Sequence, residues 1–129
     1  MLDTLIKCDI LIVEDHEIHL DAIEDFYISK GLQVEKALSA NIAEKKLKNI
    51  HPRMILMDLG LPDIPGEILC KKIKQNENYK DIRIILISAK DVENINQLVK
   101  EAKADDFIPK PISLKDLEEI LKYLDDYKN

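Results

Sequence analysis

Two observations predict an α/β fold, a doubly wound parallel sheet between two helical layers. Three short runs, Ile10-Leu11-Ile12-Val13, Met54-Ile55-Leu56-Met57 and Ile84-Ile85-Leu86-Ile87, are continuously apolar and largely β-branched. Strands that alternate apolar and polar residues bury one face, whereas unbroken runs of this length bury both, as in a parallel sheet. Between and after these runs lie stretches with helical spacing, so that strand and helix alternate five times. With short loops and right-handed crossovers, that order winds helices onto both faces of one sheet.

Taken in order, the first strand is Ile10 to Val13. A first helix follows, with Ile18, Ala22 and Phe26 on one face, and Gly31 stands where it should end. Leu32 to Ala37 alternates partly and is expected as an edge strand. Ile42, Ala43, Leu47 and Ile50 form the second helical stripe, and Ile68, Leu69 and Ile73 the third. Val92, Ile95, Val99 and Ala102 give a fourth, after which Phe107-Ile108 is a short fifth strand. Leu114, Leu117, Leu121 and Leu124 repeat the spacing in the last helix, and Ser113-x-x-Asp116 forms a capping box at its start.

A chain of 129 residues suits a single domain, 1–129, with a real core. Its composition is 46% hydrophobic and 34% charged, with a net charge of -6. An acidic chain without a Lys/Arg stripe argues against direct nucleic-acid binding. No apolar run approaches the roughly 20 residues that span a bilayer, and no signal peptide is visible, so a cytoplasmic location is expected. Cys8 and Cys70 are far from any CxxC spacing and fit small buried hydrophobes in a reducing compartment.

Ligands of such sheets bind outside the carboxyl ends of the strands, so the residues following each apolar run are the informative ones. Glu14 and Asp15 follow the first, Asp58 the third, Ser88-Ala89 the fourth and Pro109-Lys110-Pro111 the fifth. Three nearby carboxylates repel one another unless a cation joins them. With only oxygen ligands on offer, Mg²⁺ fits best, because it binds through a few carboxylates, keeps waters and pairs with phosphoryl groups. A lysine beside a divalent cation implies an anion for both to neutralise. The simplest such anion is a phosphoryl group carried by Asp58 as an acyl phosphate.

Four stretches, "ILIVED" at 10–15, "MILMDLGLPDIPG" at 54–66, "IILISA" at 84–89 and "ADDFIPKP" at 104–111, resemble in order and spacing the receiver domains of response regulators, the CheY-like family. The resemblance covers essentially the whole chain. It implies a flavodoxin-like sheet of order 2-1-3-4-5 and a signalling domain rather than an enzyme, with at most self-catalysed phosphorylation and dephosphorylation. By the same resemblance, Asp58 is the phosphoacceptor for a sensor histidine kinase or phosphotransfer protein. Asp15, Asp58 and the Gly60 carbonyl then hold Mg²⁺ directly, with Glu14 acting largely through water. Lys110 pairs with the phosphoryl group, Ser88 hydrogen-bonds it, and Phe107 changes rotamer on activation. The output face implied is the fourth helix, fifth strand and fifth helix, which binds a downstream protein or a second copy. The chain departs from the family pattern at Lys103, where glycine is common, so that turn is expected to be strained or reshaped. Pro65 replaces a small polar residue before Gly66, and Ser88 stands for the commoner threonine.

Singly, each site residue has an ordinary explanation as a solvated turn carboxylate, a strand-end hydroxyl, a surface lysine or core packing. Five on one sheet edge do not. His16 and His19 have metal-like spacing, but no Cys or third His joins them. His51 is expected in a surface loop. A haloacid-dehalogenase-type phosphatase would carry a second Asp two residues after the nucleophile, where this chain has Gly60. Neither GxGxxG nor GxxxxGK[ST] can be built from three glycines. About 20 residues follow Pro109, room for one helix and no DNA-binding output domain. A stand-alone receiver and the receiver piece of a longer regulator both remain open.

Overall fold

The computed structural model describes residues 5–89 and 93–128. The elements run β1 (Ile6–Val13), α1 (Glu17–Ser29), β2 (Val34–Ala37), α2 (Ala40–Leu47), β3 (Ile50–Asp58), α3 (Gly66–Lys74), β4 (Arg83–Ser88), α4 (Ile95–Ala102), β5 (Asp106–Pro109) and α5 (Leu114–Lys128). All strand pairings are parallel, in the order β2-β1-β3-β4-β5. Among the described residues, no helix is long and apolar enough to cross a membrane.

The apolar runs feed two cores, because successive side chains of a strand point to opposite faces. Leu11, Val13, Ile55, Met57, Ile84 and Leu86 pack with α2, α3 and α4 residues such as Ala43, Leu69 and Ala102. Ile10, Ile12, Met54, Leu56 and Ile85 pack with Leu20, Ile23 and Tyr27 of α1 and with Leu117, Ile120 and Leu124 of α5. Cys70 is buried in the first of these cores and Cys8 is buried in β1, and burial pushes their thiols up to about 12 and about 11.

Several helical faces differ from the expected ones. In α1 the buried residues are Leu20, Ile23 and Tyr27; of the expected face, Phe26 is half-buried against the same core, while Ile18 is 75% exposed and Ala22 is also exposed. Turning Ile18 inward would carry Asp21 and Asp25 inward with it, since they lie three and seven residues on, and desolvating them is costly. In α2, Ala40, Ala43 and Leu47 face the core and Ile42 does not. In α3, Ile68 is exposed and Cys70 takes its place beside Leu69 and Ile73. Leu114 is exposed at the start of α5, where Ile120 joins Leu117 and Leu124 instead. In α4 only Ala102 is fully buried, and Val92 lies outside the described residues.

The third strand also begins earlier than expected, so Ile50 belongs to β3 rather than to α2, and His51 is a half-buried strand residue rather than a loop residue. Pro52 hid this extension, because a residue without an N–H is a poor member of a central strand. The register explains its presence. β4 pairs with β3 only from Met54 onward, so β3 is an edge strand on that side at Pro52.

The helix ends follow local chemistry. Gly31 adopts φ 84° and closes α1, with its N–H donating to the Ile28 carbonyl (2.9 Å) and that of Leu32 to Tyr27 (3.1 Å). Lys103 closes α4 in the same left-handed region, at φ 61°, where a side chain is strained. The capping box of α5 is present: Asp116 N–H donates to Ser113 Oγ and Ser113 N–H to Asp116 Oδ2, each at 3.0 Å.

Candidate functional site

The parallel strands deliver the expected residues to one edge. Glu14 follows β1, Asp58 ends β3, Ser88 ends β4 and Lys110 follows β5. Register carries them close, since Asp58 lies opposite Ile87 and Ser88 opposite Pro109, and the Lys110 N–H donates to the Ser88 carbonyl at 2.8 Å. The Lys110 ammonium then bridges Asp58 Oδ2 at 2.8 Å and Glu14 Oε1 at 2.5 Å. The other Asp58 oxygen accepts the Gly60 N–H at 3.0 Å.

Glu14 is fully buried and Asp58 is 7% exposed, whereas Asp15 faces solvent. One oxygen from each of the three lies within 4.8 Å of the others. The second oxygen of Glu14 is buried and receives no hydrogen bond. A buried carboxylate oxygen left unpaired is costly, and a hard cation is the partner that would satisfy it. The donor set therefore fits Mg²⁺.

The electrostatics separate the two buried acids. Burial, then the neighbouring Asp58 carboxyl, pushes the Glu14 carboxyl up to about 7, against the pull of Lys110. Burial also acts to raise Asp58, but the neighbouring Glu14 carboxyl, the Lys110 ammonium and the Gly60 amide outweigh it and hold the carboxyl below the usual range. Burial tends to lower the Lys110 ammonium, and its two carboxylate partners more than restore it. The two shifts run in opposite directions, disfavouring the charge on Glu14 and favouring it on Asp58, and an ionised carboxylate is the form that acts as a nucleophile.

Ser88 is 2% exposed at the end of β4. Phe107, on β5 opposite Leu86, is half-buried against the core on the α2–α4 side of the sheet. Contacts thus bring Glu14, Asp15, Asp58, Gly60 and Lys110 together, Ser88 stands at the same sheet edge, and Phe107 lies on β5 three residues before Lys110.

Three features escaped the sequence. A Cβ on Gly66 would come within 2.1 Å of the Asp58 carbonyl oxygen, so the loop after β3 folds tightly against the acceptor's own backbone and only glycine fits. Asp63 in that loop caps α2 from outside, accepting the Ala40 and Asn41 N–H groups at 3.0 and 2.7 Å. The Asn41 amide is the main reason its carboxyl is held below the usual range. His19 reaches to within 3.6 Å of Glu14 Oε1, and its ring stacks on His16. The His16–His19 spacing was the one visible hint of these three.

The family model for the response regulator receiver domain matches residues 10–122. The chain is 29% identical to the polar-differentiation response regulator DivK of Brucella ovis, over 91% of this chain and 96% of that one. Among solved structures, it resembles a CheY-like receiver domain protein from Methanospirillum hungatei, with a TM-score of 0.83 and 29% identity over 96% of this chain and 97% of the other. It also resembles the receiver domain of a sensor histidine kinase from Pseudomonas aeruginosa, solved with a magnesium ion coordinated in its active-site cleft, at a TM-score of 0.81 and 26% identity over 92% and 98%. A five-stranded sheet in the order 2-1-3-4-5, an acidic cluster at its carboxyl edge and a family match across most of the length lead to one conclusion: the chain belongs to the response regulator receiver domain family.

Proposed function

We propose that Asp58 accepts a phosphoryl group from the phosphohistidine of a sensor kinase or phosphotransfer protein, within a single receiver domain spanning 1–129. The observation that carries this reading is the buried Asp58 carboxylate held between the Lys110 ammonium and the Gly60 amide, beside the unsatisfied oxygen of Glu14. The Lys110 ammonium is placed to leave the carboxylates for the incoming phosphoryl oxygens, which carry more charge. Ser88 supplies a hydroxyl at the same edge. Asp15, Asp58, the Gly60 carbonyl and, largely through water, Glu14 are the groups that would hold Mg²⁺, which when bound neutralises charge on the carboxylates and the phosphoryl group. On this reading the domain is a phosphoryl-accepting signalling domain rather than an enzyme, with at most self-catalysed phosphorylation and dephosphorylation.

The response runs along β4 and β5. Drawing the Ser88 hydroxyl toward the phosphoryl frees space at the end of β4, and Phe107 on the neighbouring strand turns in to fill it. The altered face is built by α4, β5 and α5, and it binds a downstream protein or a second copy.

Incubation with Mg²⁺ and acetyl phosphate tests the acceptor. One phosphoryl group, labile to alkali, is expected on Asp58 by mass spectrometry of the intact and digested protein. A modification that persists in Asp58→Asn removes the assignment.

A further inference from the structure

α1 begins at the rim of the site, and its first turn carries two imidazoles that the acceptor chemistry leaves unused. The His16 and His19 rings stack with centroids 4.1 Å apart and planes 19° from parallel. Stacking on His16 props the His19 ring, whose side chain is nevertheless 54% exposed. His19 also lines a pocket of about 390 Å³ together with Ala22, Ile23, Ala89, Lys110 and Ile112. Two of those residues belong to the acceptor neighbourhood: Ala89 follows Ser88, and Lys110 touches Asp58. The wall is otherwise mostly apolar, with room for a five-membered ring.

We infer that His19, propped by His16, is a specificity residue that favours phosphodonors with an aromatic leaving group over acyl phosphates. This rests on the reading of Asp58 as the phosphoacceptor. In the transfer, an Asp58 carboxylate oxygen forms the new bond to phosphorus while the P–N bond of the donor breaks. Its electron pair goes to the ring nitrogen, and the ring departs as neutral imidazole because its other nitrogen already carries a proton. A flat ring beside Lys110 and Ala89 has the His19 face and the apolar wall to rest on, in the offset or edge arrangement that aromatic pairs prefer. An acetate leaving group has no π face and gains nothing from either.

The test compares initial rates of Asp58 phosphorylation with phosphoimidazole and with acetyl phosphate, both with Mg²⁺, in the full chain. In His19→Ala the ratio of the two rates should fall roughly three- to tenfold, the size of one aromatic contact. His16→Ala should lower it less, and His19→Phe, which keeps a ring but loses the contact with Glu14, should restore it. An unchanged ratio in His19→Ala overturns the inference. So does an equal loss with both donors, or failure of His19→Phe to rescue, since either makes His19 a residue that acts through Glu14 on the acceptor. If neither donor labels the wild-type chain, the acceptor reading itself fails.

Discussion

Both ends of the sheet hold ionic groups, but they are finished differently. Near the amino ends of the strands, two ion pairs are completed by further hydrogen bonds, although His51 Nδ1 is buried there without one. Lys74 donates to the Ile82 carbonyl (2.6 Å) and to Asp105 (2.8 Å), and the same Asp105 oxygen accepts the Ile84 N–H at 2.8 Å. Arg53 pairs with Asp9 at 3.0 Å and donates to the Leu124 carbonyl, while the other Asp9 oxygen takes the Gln33 N–H at 2.8 Å. These pairs stitch α3, α5 and the loops to the sheet. At the carboxyl ends, one ammonium serves two carboxylates and an oxygen of Glu14 has no protein partner. A fully satisfied pair is a clamp, whereas an incomplete one is a site that waits for a ligand.

The two ends should therefore respond to charge removal with opposite signs. The largest effect is expected at Glu14. Its carboxyl is raised from 4.5 to about 7 in the fold, so the folded chain binds more protons than the unfolded one between those values. Stability in EDTA should then fall as pH rises from about 5 to about 7 and level off above, by at most roughly 2–3 kcal/mol. Glu14→Gln should flatten that slope and raise the metal-free melting temperature at pH 7.5. Millimolar Mg²⁺ should raise the wild-type melting temperature and do less for the variant. A wild-type slope of the other sign would place the unfavourable charge elsewhere.

At the opposite end, Lys74→Met should destabilise by about 1–2 kcal/mol, because the Ile82 carbonyl loses its donor and Asp105 its cation. Urea titration at constant pH measures it. The exposure of Asp105 keeps the figure moderate, and a neutral result would mean that this pair is no clamp.

The smallest effect is a gain at the same end. Lys103 is, among the described residues, the one non-glycine with positive φ, and it sits two residues before Asp105. Lys103→Gly should stabilise by about 0.5–1 kcal/mol by relieving the left-handed strain, net of the entropy that glycine adds to the unfolded chain. A loss instead would show that the lysine side chain makes up for its own backbone.

What the sequence by itself determined was whatever depends on short-range pattern. The apolar runs of β1, β3 and β4 declared a sheet buried on both faces, and the residue after each run named Glu14, Asp15, Asp58, Ser88 and Lys110. Local caps were equally legible, since Gly31 and the Ser113–Asp116 pair act within a few residues of themselves. The tertiary structure decided which face of a helix turns inward. In α1 the set Ile18, Ala22, Phe26 and the set Leu20, Ile23, Tyr27 are both periodic, and the choice rests on where Asp21 and Asp25 can stay solvated and on the Tyr27 hydroxyl reaching the Leu117 carbonyl at 3.1 Å, ninety residues away. The same holds for Pro52 in β3, for the Asp63 cap on α2 and for the opposite shifts of Glu14 and Asp58. Each depends on groups distant in the chain, and a periodic pattern carries no information about which distant group arrives.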